Sequence, residues 1–422
     1  MKWPTAKLGH VAPPERSVRE FAPDELVWHL NLDQIESQTG RVLEKKRAPA
    51  SQGGVSTFAF DEGHVLYSKL RPYLNKVVRP DEPGIATTEL VPLRPQPGIL
   101  NPDFLKFYLR SDRFVGFANQ VVAGAKMPRM IMEKFWVHEI PLPAPREQRR
   151  IVELLEQADG LRQKRAEADA LADRILPALF HKMFGDPAAN PKGWPRKKLG
   201  ELLERIESGW SPVCENRQAA PGEWGVLKLG AVTTNRYLES ENKALPATLD
   251  DQPELEVRPG DLLFTRKNTR ELVGACAYVE KTRPRLMLSD LVFRLCLKAN
   301  AEVHPLYLWA LLIYPSKRPA IQLLAGGSAG SMPNISKGRL ETLEIEKPPI
   351  RLQTTFVDAV ATFDGLREKA QAAHEDIERL FSVLVHRAFT GELTAKWREA
   401  HMKELLAEME EQARLLNLPA ET

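Results

Sequence analysis

The chain has 422 residues, of which 43% are hydrophobic and 27% are charged, and its net charge is +3. This composition predicts a folded globular protein of two or three domains and excludes a disordered chain. The longest apolar run, residues 306–314, is too short to span a bilayer, and the N-terminus lacks the apolar stretch of a signal peptide. The three cysteines form no C-x-x-C pair. We therefore expect a cytoplasmic location.

The first segment, residues 1–145, is rich in proline and glycine and contains short apolar runs that predict strands bounded by turns. Its landmarks recur in the same order about 200 residues later. Trp3-Pro4 and Lys7-Leu8-Gly9 recur as Trp194-Pro195 and Lys198-Leu199-Gly200, residues 63–69 as 260–266, Met127-Pro128 as Met332-Pro333, and residues 159–162 as 364–367. This spacing is far above the period of a solenoid, so it predicts two copies of one mildly basic α/β domain, the second over residues 188–349.

A long helix is predicted after each domain, over residues 146–187 and 350–391. In both, apolar residues recur at alternating intervals of three and four, which is typical of the seam of a left-handed coiled coil. The first seam is Ile151, Leu154, Ala158, Leu161, Arg165, Ala168, Ala172, Ile175 and Leu179, and the second is Phe356, Ala359, Phe363, Leu366, Ala370, Ala373, Ile377, Leu380 and Leu384. A helix face packed against its own domain would give a similar stripe. Pro177 is expected to kink or end the first helix.

The order of these segments predicts an α+β fold. Two tandem α/β domains, related by a pseudo-twofold axis, would be separated by a long antiparallel two-helix coiled coil, because a second helix that pairs with the first must run back along it. The acidic tail, residues 392–422, predicts a surface helix or a partner contact. Two similar heads on a rigid spacer suit a ligand with two separated sites, such as duplex DNA, whose base edges face one side about every 35 Å.

Polar and basic residues cluster after the repeated strand landmark and in the glycine-bearing loop that precedes each long helix. Arginine and lysine suit phosphate oxygens or guanine O6 and N7, asparagine suits adenine, and a glycine-bearing loop lets backbone N–H groups approach phosphates. The candidate DNA-binding residues are Ser68, Lys69, Arg71, Lys126, Arg129, Thr265, Arg266, Lys267, Asn268, Arg270, Ser331 and Asn334. A solvated basic turn at a strand end, or a tight turn that leads into a strand, is the alternative at each place.

The sequence contains none of the common motifs for catalysis or nucleotide binding. It lacks G-x-x-x-x-G-K-[ST], G-x-G-x-x-G and H-E-x-x-H, and no spacing of cysteine and histidine is typical of structural zinc. We therefore expect a non-catalytic recognition subunit, with no catalytic residue, cofactor or metal of its own.

Three segments, residues 141–151, 260–266 and 388–393, resemble the specificity subunit of type I restriction–modification systems, and with the duplicated layout the resemblance covers essentially the whole chain. It implies two target-recognition domains that each read half of a bipartite DNA site in defence against foreign DNA. It also implies assembly with two modification subunits that methylate adenine with S-adenosylmethionine, and with restriction subunits that use ATP and Mg. Two positions depart from the pattern: no glutamate precedes Gln353 as Glu147 precedes Gln148, and His64 stands where the second copy has Asp261.

Two other functions fit parts of the pattern. The chain could be a coiled-coil scaffold whose two heads bind proteins, or a stand-alone DNA-modifying enzyme. Binding to duplex DNA with steep salt dependence and one preferred split site would exclude the scaffold. Transfer of methyl groups from S-adenosylmethionine to DNA by the purified chain would instead support the enzyme.

Overall fold

The computed structural model describes residues 3–326 and 332–416. They form two compact units: unit one contains residues 3–166 and 372–416, and unit two contains residues 167–371. Each unit combines short strands with helices and includes part of each of two long helices, so the predicted α+β class is confirmed. In the part of the chain that the structure describes, no helix has the length and apolarity needed to cross a membrane.

Unit one is built around short strands whose apolar side chains are buried in its core. The strands are β1 Thr5–Lys7, β2 Leu26–Leu30, β3 Arg47–Pro49, β4 Thr57–Phe60, β5 Val65–Ser68, β6 Val77–Val78, β7 Gly84–Thr87, β8 Leu90–Leu93, β9 Val122–Ala123, β10 Arg129–Met130 and β11 Glu139–Pro141. The helices are α1 Leu8–Val11, α2 Pro102–Leu109, α3 Asp112–Gln120, α4 Met132–Trp136 and the first part of α5 Pro145–Ala172. The strands form sheets in the orders β3-β2-β7-β4 and β6-β5-β8, with the pairs β1-β11 and β10-β9.

Unit two has a closely similar order of elements. Its helices are α6 Ile175–Phe184, α7 Leu199–Leu202, α8 Gly230–Thr233, α9 Pro305–Ile313, α10 Arg318–Leu323 and α11 Lys337–Glu341. Its strands are β12 Arg196–Lys198, β13 Leu203–Ser208, β14 Gly225–Leu227, β15 Asn242–Ala244, β16 Leu262–Thr265, β17 Cys276–Tyr278, β18 Leu286–Met287, β19 Val292–Leu297 and β20 Glu344–Glu346. They form sheets in the orders β13-β19-β16-β17 and β15-β14-β18, with the pair β12-β20.

The duplicated sequence landmarks fold alike in the two units. The first strand of each copy pairs antiparallel with the strand that precedes the long helix, β1 with β11 and β12 with β20. The backbone N–H of Leu8 donates to the carbonyl of His138 at 2.8 Å, and that of Leu199 donates to the carbonyl of Leu343 at the same distance. The repeat therefore extends from sequence to individual backbone hydrogen bonds.

The departure at His64 leaves the turn before the central strand intact. His64 is fully buried; its Nδ1 lies 3.0 Å from Asp61 Oδ1 and its Nε2 lies 3.0 Å from the carbonyl oxygen of Glu15. In unit two, the carboxylate of Asp261 accepts from the backbone N–H of Arg258 at 2.9 Å. A histidine and an aspartate thus supply the polar atoms that the same turn requires.

The second long helix is continuous, whereas the first is interrupted. Helix α12 spans Ile350–Thr390 and is followed by α13 Ala395–Ala400 and α14 Met402–Leu415. Helix α5 ends at Ala172, and α6 begins three residues later. The break precedes Pro177, whose ring lacks an N–H and collides with the carbonyl four residues earlier in a regular helix. The expected effect of Pro177 is confirmed.

In unit one, the parts of α5 and α12 pack antiparallel. Near the start of α5, Glu147 accepts a hydrogen bond from Thr394, just beyond the end of α12. Fifteen residues later, Arg162 donates to both carboxylate oxygens of Glu378 at 2.8 Å. Higher numbers on the first helix thus face lower numbers on the second. The outer ends of both helices also belong to the hydrophobic core of this unit, so the alternative interpretation of the stripe holds there.

Unit two shows the same direction of packing. The Asp173 carboxylate lies 2.9 Å from Arg367, and the Phe184 ring lies 5.4 Å from the ring of Phe356, with an edge-to-face geometry. The residue numbers rise along the first helix while those of their partners on α12 fall, so this pairing is also antiparallel. Phe184 and Phe356 belong to the core of the unit.

The predicted seam is wrong at six places, where the apolar residue of the stripe is exposed and the next residue is half-buried. Two of these residues are Ala168 and Ala373, and the other four are larger. Leu161, Ile175, Leu366 and Leu380 are 52%, 47%, 61% and 51% exposed, while Arg162, Leu176, Arg367 and Phe381 are half-buried. A helix has 3.6 residues per turn, so a stripe of period 3.5 drifts across its face. Arg162 fits the interior because it pairs with Asp159 and Glu378 and lies over the ring of Phe381.

A buried glutamine fixes the start of α5 in unit one. The Gln148 side-chain amide donates to the carbonyls of Ile99 and Pro143 at 2.8 and 2.9 Å. Its Oε1 accepts from the backbone N–H of Asn101 at 2.7 Å. Gln412 of α14 donates to the same two carbonyls, at 2.7 and 3.4 Å. The helix start is therefore joined to the loop before α2 and to the tail.

The start of α12 in unit two has the same contacts without the tail. The Gln353 amide donates to the carbonyls of Glu302 and Pro348 at 3.2 and 2.7 Å, and its Oε1 accepts from the backbone N–H of His304 at 2.8 Å. Both glutamines are fully buried. The matching set of donors and acceptors explains why this residue type occurs at both helix starts.

The residue before each glutamine differs. Glu147 is fully buried and accepts from Trp3 Nε1 at 2.9 Å, from Thr394 Oγ1 at 2.6 Å and from Arg398 Nε at 2.7 Å. A buried carboxylate requires such partners. Leu352 holds the equivalent position in unit two. The missing glutamate of the second copy therefore corresponds to a tail contact made only in unit one.

Candidate nucleic-acid interface

In unit one, the end of β5 lies beside the loop that leads into β10. The backbone N–H of Arg71 donates to the carbonyl of Pro128 at 2.7 Å, and the N–H of Met130 donates to the carbonyl of Lys69 at 2.8 Å. The two groups of candidate residues in this unit are thereby joined in one surface. We call it site one, and it consists of residues 68–71 and 126–129.

Unit two joins the equivalent segments by equivalent bonds. The N–H of Asn268 donates to the carbonyl of Pro333 at 3.4 Å, and the N–H of Ile335 donates to the carbonyl of Arg266 at 2.8 Å. Lys267 and Asn334 form an isolated antiparallel bridge. This surface is site two, and its described residues are 265–270 and 332–334.

Arg129 of site one is held by an acid that the sequence analysis did not identify. Its Nε lies 3.2 Å from each carboxylate oxygen of Glu89, and its Nη2 lies 2.8 Å from Oε1. The hydrogen bond from Arg129 and its positive charge lower the pKa of Glu89. The two side chains are 43% and 29% exposed, so the ion pair is fixed in geometry while one edge faces solvent.

Arg266 of site two is held differently. Its Nε donates to Asn334 Oδ1 at 3.1 Å, and its guanidinium carbon lies 5.3 Å from the centroid of the Phe293 ring. It opens onto a cleft of about 530 Å³. The lining also contains Lys267, Asp290, Leu291, Gly326, Met332, Ser336 and Arg339. Asp290 is hydrogen-bonded to Ser211 and not to a basic side chain of the cleft.

The two sites carry different charge balances. Among the described residues, no carboxylate lies within ion-pair distance of Arg266, Lys267, Arg270, Lys337 or Arg339 around site two. In site one, Arg129 is neutralised by Glu89. Lys69, Arg71 and Lys126 of site one also lack such a partner among the described residues. Both sites therefore offer uncompensated positive charge, which suits a polyanion such as DNA.

Comparison with known proteins shows which proteins this chain is similar to. Residues 191–379 match the model of the type I restriction modification DNA specificity domain. The chain is 34% identical to the type I restriction enzyme EcoEI specificity subunit of Escherichia coli over 195 residues, 45% of this chain and 32% of that subunit. It is 25% identical to the EcoKI specificity subunit of Escherichia coli strain K12 over 329 residues, 71% of this chain and 69% of that subunit. The chain is thus similar to type I restriction–modification specificity subunits, and the match to the family model lies in residues 191–379.

The match spans about a third of the length of the EcoEI subunit and about two thirds of the EcoKI subunit. Two solved structures share the fold of this chain. A chain from a type I restriction–modification system, solved to explain complex assembly and conformational transition, has a TM-score of 0.56 at 22% identity and covers 93% of this chain and 98% of its own. The S subunit from M. genitalium has a TM-score of 0.54 at 13% identity and covers 92% of this chain and 96% of its own.

Three of the candidate residues are buried, and their polar groups bond within the fold. Ser68 is buried and its hydroxyl donates to the carbonyl of Leu70 at 2.9 Å. Thr265 is fully buried and its hydroxyl accepts from the N–H of Ala275 at 2.9 Å. Asn268 is largely buried, and its Oδ1 accepts from the N–H of Thr269. These side chains shape the strand ends rather than face a ligand.

The other candidates lie at the surface or partly exposed. Arg71, Lys126, Lys267 and Arg270 are exposed, and Lys69, Arg129, Arg266 and Asn334 are half-buried. Arg71 has a left-handed backbone, with φ of 50°, which places it at a sharp turn. Ser331 lies outside the described residues. In the ranges 3–326 and 332–416, no group of three or more histidine, cysteine, aspartate or glutamate side chains is placed to bind a metal.

Sequence reasoning missed four residues at the two sites: Glu89, Phe293, Lys337 and Arg339. Glu89 directly precedes β8, and Phe293 lies in β19. Only the register of β8 with β5 and of β19 with β16 brings them beside the candidates. Lys337 and Arg339 follow Asn334 by three and five residues, so their proximity in sequence was the available signal.

Proposed function

We propose that this chain recognises a bipartite DNA sequence and brings adenine methyltransferase and restriction subunits to it in the cytoplasm, without catalysis of its own. Residues 1–145 and 188–349 would be the two target-recognition domains. Residues 146–187 and 350–391 would form the helical spacer, and residues 392–422 a tail. Each domain would read one half-site.

One observation carries this proposal: both units join the end of the same strand to the same loop by equivalent bonds, and both joined surfaces are basic. A single site would fit many polyanions. Two equivalent sites with different side chains fit two half-sites of different sequence. The match of residues 191–379 to a DNA specificity domain supports the same ligand.

Equivalent exposed leucines support two copies of a partner. Leu161 in unit one and Leu366 in unit two hold matching positions in the repeat and are 52% and 61% exposed. Ile175 and Leu380 match in the same way. Since each copy of the repeat presents the same apolar residues outward, we assign them to two modification subunits, one per copy.

Co-expression with the type I modification subunit of the same genome, followed by mapping of methylated adenines, tests the function. The expected result is methylation within one split motif, lost when the chain is omitted. Leu161→Glu and Leu366→Glu should each release one modification subunit from the purified complex, as measured by mass. Methylation without sequence preference, or none by a complex of the correct mass, would contradict DNA targeting. Binding of proteins but not duplex DNA would instead favour the scaffold.

A further inference from the structure

We infer that each unit reads one guanine of its half-site with one arginine whose Nε is fixed by an acceptor, Arg129 in site one and Arg266 in site two. This inference rests on the proposed function and assigns the base that each site recognises. It follows from three features: how each guanidinium is held, which of its edges is free, and how the neighbouring cations differ.

Arg129 is held along one side of its guanidinium. Glu89 accepts from Nε and from Nη2, which uses two of the five N–H donors. The remaining three include one on Nη2 and two on Nη1, so the end of the fork is free. No other hydrogen-bond partner of these donors occurs among the described residues.

Arg266 is held at the same atom by a different acceptor. Asn334 Oδ1 accepts from Nε, and the Phe293 ring supports the face of the guanidinium. Asn334 is the residue of unit two that aligns with Arg129. The arginine therefore lies at a different position of the repeat in each copy, yet each site has one guanidinium with Nε bonded to an acceptor and N–H groups left free at its end.

A guanidinium with a free end matches one base better than the others. Two parallel N–H groups from Nη1 and Nη2 fit the O6 and N7 acceptors of guanine in the major groove, a contact that an adenine cannot reproduce because it presents a donor beside N7. A side chain fixed beforehand loses less conformational entropy on binding. The acceptors Glu89 and Asn334 are thus positioning residues.

The exposed lysines differ from the two arginines because no acceptor fixes their charged group. Lys126 and Lys267 have no ion pair among the described residues and are exposed. A mobile ammonium acts as a point charge, suited to phosphate rather than to one base. Each site therefore combines one fixed reader with cations that contribute affinity for any sequence.

The test uses the complex of the full chain with its modification subunits, and compares methylated motifs and binding to duplexes altered at single positions. Arg129→Lys keeps the charge and removes the fork. We expect it to lose preference for one G·C pair in one half-site, by about 5- to 150-fold, with the other half-site unchanged. Arg266→Lys should do the same in the other half-site. Lys126→Ala and Lys267→Ala should instead weaken binding to all sequences alike and reduce the salt dependence by about one ion.

Glu89→Gln separates a positioning role from a structural one. Loss of a negative charge near DNA should raise affinity for random duplex, while the loosened Arg129 should discriminate less. Asp290→Asn is the matched control, because Asp290 lies beside site two without bonding to Arg266; it should raise affinity for random duplex and leave discrimination intact.

The inference would be overturned if both arginine variants kept the motif unchanged, or if the lost preference were at an A·T pair. The proposed function would still hold in that case, provided that the wild-type complex methylates a split motif. A wild-type complex with no split motif would refute the proposed function itself.

Discussion

The two units share a fold but stabilise the start of their long helix in different ways. Both use a buried glutamine that bonds to two carbonyls and one N–H. Only unit one adds a buried carboxylate, Glu147, neutralised by Arg398 of the tail. The contacts that fix the backbone at the helix start therefore occur in both copies. The charged pair occurs only in unit one, where α13 packs against the start of α5.

The largest effect is expected from removing the cation of this pair. Arg398→Leu leaves Glu147 buried without a positive partner, and we expect the free energy of unfolding to fall by roughly 3 to 5 kcal/mol. Urea unfolding followed by circular dichroism measures it. Unit two has no equivalent ion pair to remove, because the uncharged Leu352 stands where unit one has Glu147.

The double variant Glu147→Leu with Arg398→Leu gives unit one the leucine that unit two already has. Most of the lost stability should return, as replacement of a buried pair by apolar residues is often neutral. A single Arg398→Leu variant as stable as the wild type would show that the buried pair is not what attaches the tail.

An intermediate effect is expected from the glutamines. Gln353→Ala leaves the carbonyls of Glu302 and Pro348 without this donor, which should cost about 1 to 3 kcal/mol. Gln148→Ala should cost less, because Gln412 still donates to both of its carbonyls. Thermal unfolding of both variants would test the order. If Gln148→Ala is the more destabilising, the tail does not substitute for the lost amide.

The smallest effect is expected from His138 of unit one, whose titration makes stability depend on pH. Burial, with a further contribution from the positive charge of Arg113, lowers the pKa of His138 to about 4; its Nε2 lies 2.9 Å from the hydroxyl of Tyr108 and its ring stacks on Phe117. Leu343 holds this position in unit two. The unfolded histidine binds a proton below about pH 6.5, so stability should fall between about pH 6.5 and 4.

Since His138 is partly exposed, this loss should be about 1 kcal/mol. His138→Leu introduces the residue of unit two and should flatten the profile between these pH values, as measured by urea unfolding at pH 7 and pH 5. A profile with the same slope in both proteins would assign the dependence to other groups.

The sequence was sufficient for the large features of the fold and insufficient for side-chain direction. The duplication predicted two similar α/β copies, and the heptad stripe predicted two long helices that pair antiparallel. The stripe misassigned Leu161 and Leu366, because two neighbouring residues fit a 3.5 period almost equally well. Arg162 and Arg367 face inward only because Glu378 and Asp173 lie opposite them, and no local pattern encodes that.

The candidate site was predictable by segment rather than by residue. The strand landmarks and the following loops indicated where Lys69 and Arg266 lie. They could not distinguish the buried hydroxyl of Thr265 from an exposed one, because a one-residue step along a strand reverses the face. Nor could they identify Glu89, whose position beside Arg129 depends on a strand pairing across distant residues.

The interruption of the first long helix before Pro177 leaves Asp173 and Arg174 outside both α5 and α6. Asp173, at the break, lies 3.0 Å from Arg236 and 2.9 Å from Arg367, and it is 58% exposed, so these contacts give only modest support. Amides next to the break should therefore exchange their hydrogens through local opening, at rates that do not follow global unfolding. Helix α12 has Ser382 where the first helix has Pro177, and it is not interrupted. Its backbone amides should therefore be protected from exchange over its whole length.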